Sequence, residues 1–149
     1  MWKIPLLALV TVLLTACIQN KPKNTVYQPL IVADVTPIVS ATKKSIGVRV
    51  NFENIAHADY SYARFKITAF NSNGQVIKPK KGARQSAYVR LAGPIAPGQI
   101  RSTTWTNTWK NRDVQCISLD EVELIFPSGR VETAMGNRLL SKQEGHTCI

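Results

Sequence analysis

Two histidines, three cysteines and a short acidic run are the residues with which this 149-residue chain could do chemistry. Hydrolysis by a nucleophile, metal-assisted proteolysis and phosphoryl transfer each demand a motif. The chain contains no Gly-x-Ser-x-Gly elbow, no His-Glu-x-x-His and no phosphate-cradling glycine loop. His57 lies in Ala56-His57-Ala58-Asp59, between two stretches of alternating hydrophobicity, and reads as a loop imidazole in water. His146 stands two residues before Cys148 and reads the same way. Asp120, Glu121 and Glu123 invite a paired-carboxylate mechanism, but alternation puts Glu121 and Glu123 on the outward face of a strand, where charge is the ordinary occupant. The expectation is a protein that is not an enzyme, with no metal ion and no diffusible cofactor.

Two further groups suit binding. Lys78, Lys80, Lys81 and Arg84 form the densest basic cluster and could meet an anionic surface. The bland reading, a solvated loop that keeps the protein soluble, is preferred. Trp105 and Trp109, four residues apart on one strand face, read first as core; if Asn107 and Thr103 instead mark an outward face, the tryptophans become a binding strip.

The first residues carry an address. Met1-Trp2-Lys3 has one positive charge, and residues 4–14 follow without any charge, broken only by Pro5 and Thr11. That run is shorter than the roughly 18 apolar residues of a membrane-crossing helix and matches the h-region of a secretory signal. Leu14-Thr15-Ala16-Cys17 comes directly after it and resembles the lipobox of a bacterial lipoprotein precursor. The resemblance implies cleavage after Ala16, so that residues 1–16 are removed and Cys17 becomes the first residue, carrying diacylglycerol and palmitate chains. Several acyl chains, at about 0.8 kcal/mol per buried methylene, hold a protein on a bilayer without a membrane-spanning segment. Ile18 follows Cys17 where an Asp would signal retention; by likeness to enterobacterial lipoproteins this favours the outer membrane.

With Cys17 assigned to lipid, Cys116 and Cys148 remain as an even pair, as an exported chain favours. A disulfide between them would close a loop of about 30 residues, worth roughly 3 to 4 kcal/mol in loop entropy, and would pin the C-terminal tail. The competing reading is a metal pair of cysteine with His146, but a structural zinc site wants four ligands at recognisable spacing.

Charge narrows the partners. The whole chain has a formal +10; loss of Lys3 with the leader leaves 18 basic against 9 acidic side chains, a formal +9. Nucleic acid is not the expected partner of a lipid-anchored protein outside the cytoplasm. Another envelope protein, lipopolysaccharide phosphates or an anionic wall polymer are. A periplasmic inhibitor of a lysozyme-like enzyme is a further alternative, weakened because a +9 protein repels a basic target.

The elements that must position these residues are strands. Residues 17–25 are polar and form a lipidated terminus and tether; residues 26–149 form the folded part. Residues 45–54 alternate Ile46, Val48, Val50 and Phe52 against Gly47, Arg49, Asn51 and Glu53. In residues 60–71, Ala63, Phe65, Ile67 and Ala69 oppose Tyr62, Arg64, Lys66, Thr68 and Phe70. Asn71-Ser72-Asn73-Gly74 is a turn into a return strand at residues 75–77. Residues 86–91 make a short strand, closed by a turn over Gly93-Pro94-Ile95-Ala96-Pro97-Gly98. Residues 100–109 place Trp105, Asn107 and Trp109 on one side. Residues 116–126 set Cys116, Val122, Leu124 and Phe126 against Asp120, Glu121 and Glu123, and Pro127-Ser128-Gly129-Arg130 turns into residues 131–134. The rest is irregular or briefly helical around residues 138–143. About seven short strands between turns predict an all-β antiparallel sandwich.

Val50-Asn51-Phe52-Glu53-Asn54, residues 62–71, Gly74 and Gly93-Pro94-Ile95-Ala96-Pro97-Gly98 together resemble the small immunoglobulin-like, FxLYD-type modules of bacterial surface lipoproteins. Asn71 stands where such domains often have Asp. The resemblance implies a single immunoglobulin-like sandwich and a cell-envelope location, periplasmic or surface-facing, with no catalytic residue to transfer. The function expected is that of a lipid-anchored binding or structural accessory module.

Overall fold

Strands form where one face of the chain can be buried, and here two sheets bury their inner faces against each other. The computed structural model describes residues 28–79, 84–141 and 148. Its elements run β1 (Leu30–Val39), β2 (Ile46–Asn54), β3 (Tyr60–Phe70), β4 (Val76–Ile77), β5 (Ala87–Ile95), β6 (Ile100–Trp109), β7 (Cys116–Ile125), β8 (Val131–Met135) and a single helical turn, α1 (Gly136–Leu139). One sheet has the order β1-β2-β6; the other has β4-β3-β7-β8, with β5 on β3 as well. Every pairing between these strands is antiparallel. The result is the all-β sandwich expected, and splitting β1, β2 and β6 from β3, β7 and β8 follows the immunoglobulin-type division of strands.

Alternation holds best in β2 and β3. Val48, Val50, Phe52, Ala63, Phe65, Ile67 and Ala69 are all buried, and the Phe52 and Phe65 rings meet across the sheets at 5.4 Å. Each of the valines, phenylalanines and Ile67 among these contributes about 1.5 to 3 kcal/mol by leaving water.

The structure has eight strands among the described residues where seven were expected, and the extra one is β1. Its apolar period is broken in the middle: the register slips between Val32 and Asp34, so Val32 and Val35 both point inward across an odd spacing. Such a bulge hides a strand from any period-two reading. Pro37 is tolerated there because β1 is an edge strand, whose outer side needs no ladder donor. Farther back on that edge, Leu140 bridges to Val32, and the Ser141 amide donates to the Val32 carbonyl at 2.9 Å.

One expected boundary and one expected phase are corrected. The turn expected from Gly93 onward begins later: β5 continues through Gly93 and Pro94 to Ile95, and the reversal occupies residues 96–99, with Gly98 at φ 73°. Between Tyr62, opposite Ala92, and Tyr60, opposite Ile95, β5 holds one residue more than β3, so Gly93-Pro94 is a bulge within the strand. A side chain at position 93 would lie 2.4 Å from the Tyr60 carbonyl oxygen, which is why glycine stands there. In β7 the phase also slips: Ile117 and Leu119 face the core before Asp120, and Val122 and Leu124 after it, leaving Cys116 only half-buried.

Candidate functional site

Cys116 and Cys148 are joined by a disulfide that closes a separation of 32 residues, with Cα atoms 5.7 Å apart. It ties the start of β7 to the end of the chain. Cys17, His146, Lys80 and Lys81 lie outside the described residues. Lys78 and Arg84 are exposed on either side of the intervening segment.

The tryptophans separate. Trp109 is fully buried, so it cannot serve as a binding aromatic. Trp105 and Thr103 stand in register with Val48 and Val50 and so share the inward face, which overturns the reading of Thr103 as an outward marker. Trp105 packs on Phe65 at 5.8 Å, and its Nε1 donates to the Arg90 carbonyl across the sheets at 2.8 Å. Arg101 does the same four residues earlier, donating to the Pro94 carbonyl at 3.0 Å. The two side chains latch the β6 edge of one sheet to the β5 edge of the other. Asn107 is exposed instead, because β6 bulges between the residues opposite Ile46 and Val48.

The three carboxylates of β7 also have separate tasks. Asp120 Oδ2 accepts from the Thr68 hydroxyl at 2.6 Å and the Ser86 hydroxyl at 3.0 Å. Glu123 pairs with Arg64. Glu121 lies across from Lys66 and Met135. They are not assembled as an acid and a base around one point.

What the sheet does assemble is a face. Alternation sends Ala63, Phe65 and Ile67 inward, so Tyr62, Arg64 and Lys66 face out, and the register carries three rows across β5, β3, β7 and β8. The first row runs Ala92, Tyr62, Ile125, Val131; the second Arg90, Arg64, Glu123, Thr133; the third Tyr88, Lys66, Glu121, Met135. The middle row is mostly charged, the first is apolar and aromatic, and the third sets Lys66 and Glu121 between Tyr88 and Met135. Val131, Met135 and Tyr88 are among the most exposed large apolar side chains described, at 53%, 51% and 38%. The Tyr88 ring is gripped by two cations, with guanidinium carbons of Arg64 at 5.2 Å and Arg84 at 5.9 Å from its centroid. Cation–π contacts of this kind hold an exposed ring in one orientation. The hydrogen bond with Glu123 raises the pKa of Arg64 first, ahead of an opposing effect of desolvation, so this guanidinium stays charged.

Sequence reasoning had noted the outward side of β3 but not the face as a unit. Its signal, Tyr88 and Arg90 alternating with Ala87 and Val89, lay in a strand too short to invite weight.

A different polar group organises one end of the molecule. Asn54 is completely buried; its Nδ2 donates to the Ala58 carbonyl at 3.0 Å and the Ile95 carbonyl at 2.9 Å, and its Oδ1 accepts from the Ala56 amide at 3.0 Å. One side chain therefore holds the β2–β3 loop against the end of β5. His57 projects from that same loop, exposed, at the rim of an open recess of about 440 Å³ that also involves Phe126 and Arg130.

No protein-family model, curated protein or solved structure matches the chain. The likeness to small surface-lipoprotein sandwiches accordingly rests on the residues quoted for it.

Proposed function

We propose that this protein is a lipid-anchored binding module of a bacterial cell envelope, held to the outer membrane through Cys17, which docks another envelope protein on the outer face of its larger sheet. The observation that carries the reading is the three-row face centred on Arg64 and Tyr88. Aromatic residues, Met and Arg are enriched in protein-binding patches: aromatic rings offer large contact area with few rotors to freeze, Met adapts its shape to a partner, and Arg adds directional donors. Here Tyr62, Tyr88, Met135, Arg64 and Arg90 share one sheet face, and Arg84 reaches it over the Tyr88 ring. The disulfide supports an oxidising compartment for the domain.

Site-specific photocrosslinking tests the docking face. A photoreactive residue in place of Tyr88 or Met135, in the native envelope, should capture one protein of defined mass; the same probe at Thr36 or Thr104, on the smaller sheet, should not. Capture from the smaller sheet alone, or from neither, would overturn the docking face. Release of the Cys17→Ser variant into the soluble fraction is the expected sign of the anchor, and membrane retention of that variant would refute it.

A further inference from the structure

The chain enters β1 at Leu30, opposite Asn54, so the pole formed around Ile46 and Trp109 lies at the far end. The length of β2 separates the two poles by roughly 30 Å at the usual strand rise. At this far pole the β1–β2 turn and the bulged end of β6 create a recess of about 430 Å³ lined by Lys44, Ser45, Asn107 and Lys110.

Three independent features set this recess apart from an ordinary solvated loop. First, both non-glycine residues described with positive φ belong to it or its walls: Lys43 at 54°, in the turn that supplies Lys44 and Ser45, and Asn107 at 60°. Left-handed backbone at side-chain-bearing residues clusters where a function requires a fixed placement. Second, that placement is enforced. The Ser45 hydroxyl donates to Asn107 Oδ1, and a Cβ on Gly47 would come within 2.2 Å of the Trp105 carbonyl oxygen, so only glycine lets the bulge of β6 press this closely on β2. With Oδ1 engaged, the amide's Nδ2 is left without a protein acceptor among the described residues. Third, the charge is unneutralised. The ion pairs among the described residues are Arg64 with Glu123 and Arg130 with Glu132, both elsewhere; Lys44 and Lys110 have none, and Lys43 and Arg112 add to the same pole, with Asp113 as its acidic neighbour.

We infer that this recess binds a phosphate group, with the ammonium groups of Lys44 and Lys110 and the Asn107 amide as its donors, and that the group belongs to a soluble phosphodiester polymer of the envelope. Two ammonium groups more than neutralise the single charge of a phosphodiester, and an amide held by its oxygen can present only N–H to an anion. The location selects the source: the recess opens at the end of the sandwich remote from the entering chain, away from the bilayer that would hold Cys17. It is a second site, separate from the sheet face, and stands independently of it.

The test is an amide-resolved NMR titration of the mature chain, disulfide intact, with Cys17→Ser to remove acyl chains. Inorganic phosphate, against chloride at equal ionic strength, should shift the amides of residues 43–45 and 107–110 saturably, and a short polyphosphate should do so at lower concentration. Lys44→Gln with Lys110→Gln, and separately Asn107→Asp, should each weaken phosphate at least about tenfold, while the rest of the spectrum stays as in the parent. Shifts equal in chloride, shifts centred on Lys78, Arg84 and Arg90, or undiminished affinity in the variants would overturn the site. Vesicles containing phosphatidylglycerol distinguish the source: broadening of the far-pole amides by vesicles at concentrations where polyphosphate is silent would overturn the polymer and leave a lipid phosphate.

Discussion

Replacing Asn54 with alanine removes three hydrogen bonds from a site with no exposure to water. Each bond is worth about 1 kcal/mol net, and each buried partner left without a mate costs about 1 to 3 kcal/mol, although the Ala58 carbonyl and the Ala56 amide lie near enough to the surface to recruit water. The Ile95 carbonyl has no such recourse. A loss of about 3 kcal/mol follows, which at an m-value of about 1.5 kcal/mol per molar urea lowers the unfolding midpoint by about 2 M. Asn54→Asp sharpens the test. It keeps the acceptor for the Ala56 amide but turns an oxygen toward two carbonyl oxygens, which disfavours the charged form and raises the folded-state pKa above the unfolded value of about 3.9. A raised folded pKa means that the native state binds the proton more tightly, so this variant should be least impaired below about pH 4 and should lose stability as the pH rises through the folded pKa. Urea unfolding of parent, Asn54→Ala and Asn54→Asp at pH 4 and pH 7 measures all of this. A midpoint shift under 0.5 M for Asn54→Ala by that m-value, or a pH-independent Asn54→Asp, would refute the account of Asn54 as the tie between the β2–β3 loop and β5.

Four further outcomes are expected. Cys148→Ser, or reduction of the parent, should cost about 3 to 4 kcal/mol by releasing a closed loop of 32 residues, read as a lower thermal midpoint without change in far-ultraviolet circular dichroism below it. Gly47→Ala should destabilise by about 2 kcal/mol or more, because its methyl meets the Trp105 carbonyl oxygen and backbone must move; equal midpoints for variant and parent would contradict the close approach of β2 and β6. Trp109→Ala should cost about 3 to 5 kcal/mol as a cavity in the core, whereas Trp105→Phe should cost about 1 kcal/mol, the value of the latch to Arg90. In the chain without residues 1–16, and so without Trp2, acrylamide should quench Trp105 emission in the Trp109→Phe variant more than Trp109 emission in the Trp105→Phe variant, since of these two tryptophans only Trp105 is partly accessible.

The strands legible in the chain were those whose ladders are unbroken. β2 and β3 announce themselves by strict alternation of Val48, Val50, Phe52 and Ala63, Phe65, Ile67, and the structure buries those residues. β1 did not, because the bulge after Val32 resets its phase and Pro37 sits within it. The same cause moved the boundary at Gly93 and Pro94, where glycine and proline serve a bulge instead of a turn, and shifted the inward face of β7 at Asp120.

The sites divide similarly. Pairing of Cys116 with Cys148 needed only counting once the likeness to a lipobox had set Cys17 aside, and the outward placement of Glu121 and Glu123 needed only the period of a strand. Local order thus determined the fold class and most strands, because these depend on near neighbours along the chain and on the contrast between an apolar and a polar face, while the parity of the cysteines set the disulfide. Tertiary structure decided the rest: that Trp109 is core while Trp105 latches two sheets, that Asn54 joins three segments, that Arg84 reaches the ring of Tyr88, and that Lys44 and Lys110 line one recess. Each of those depends on which strand lies beside which, and antiparallel pairing brings together residues tens of positions apart whose meeting no local pattern encodes.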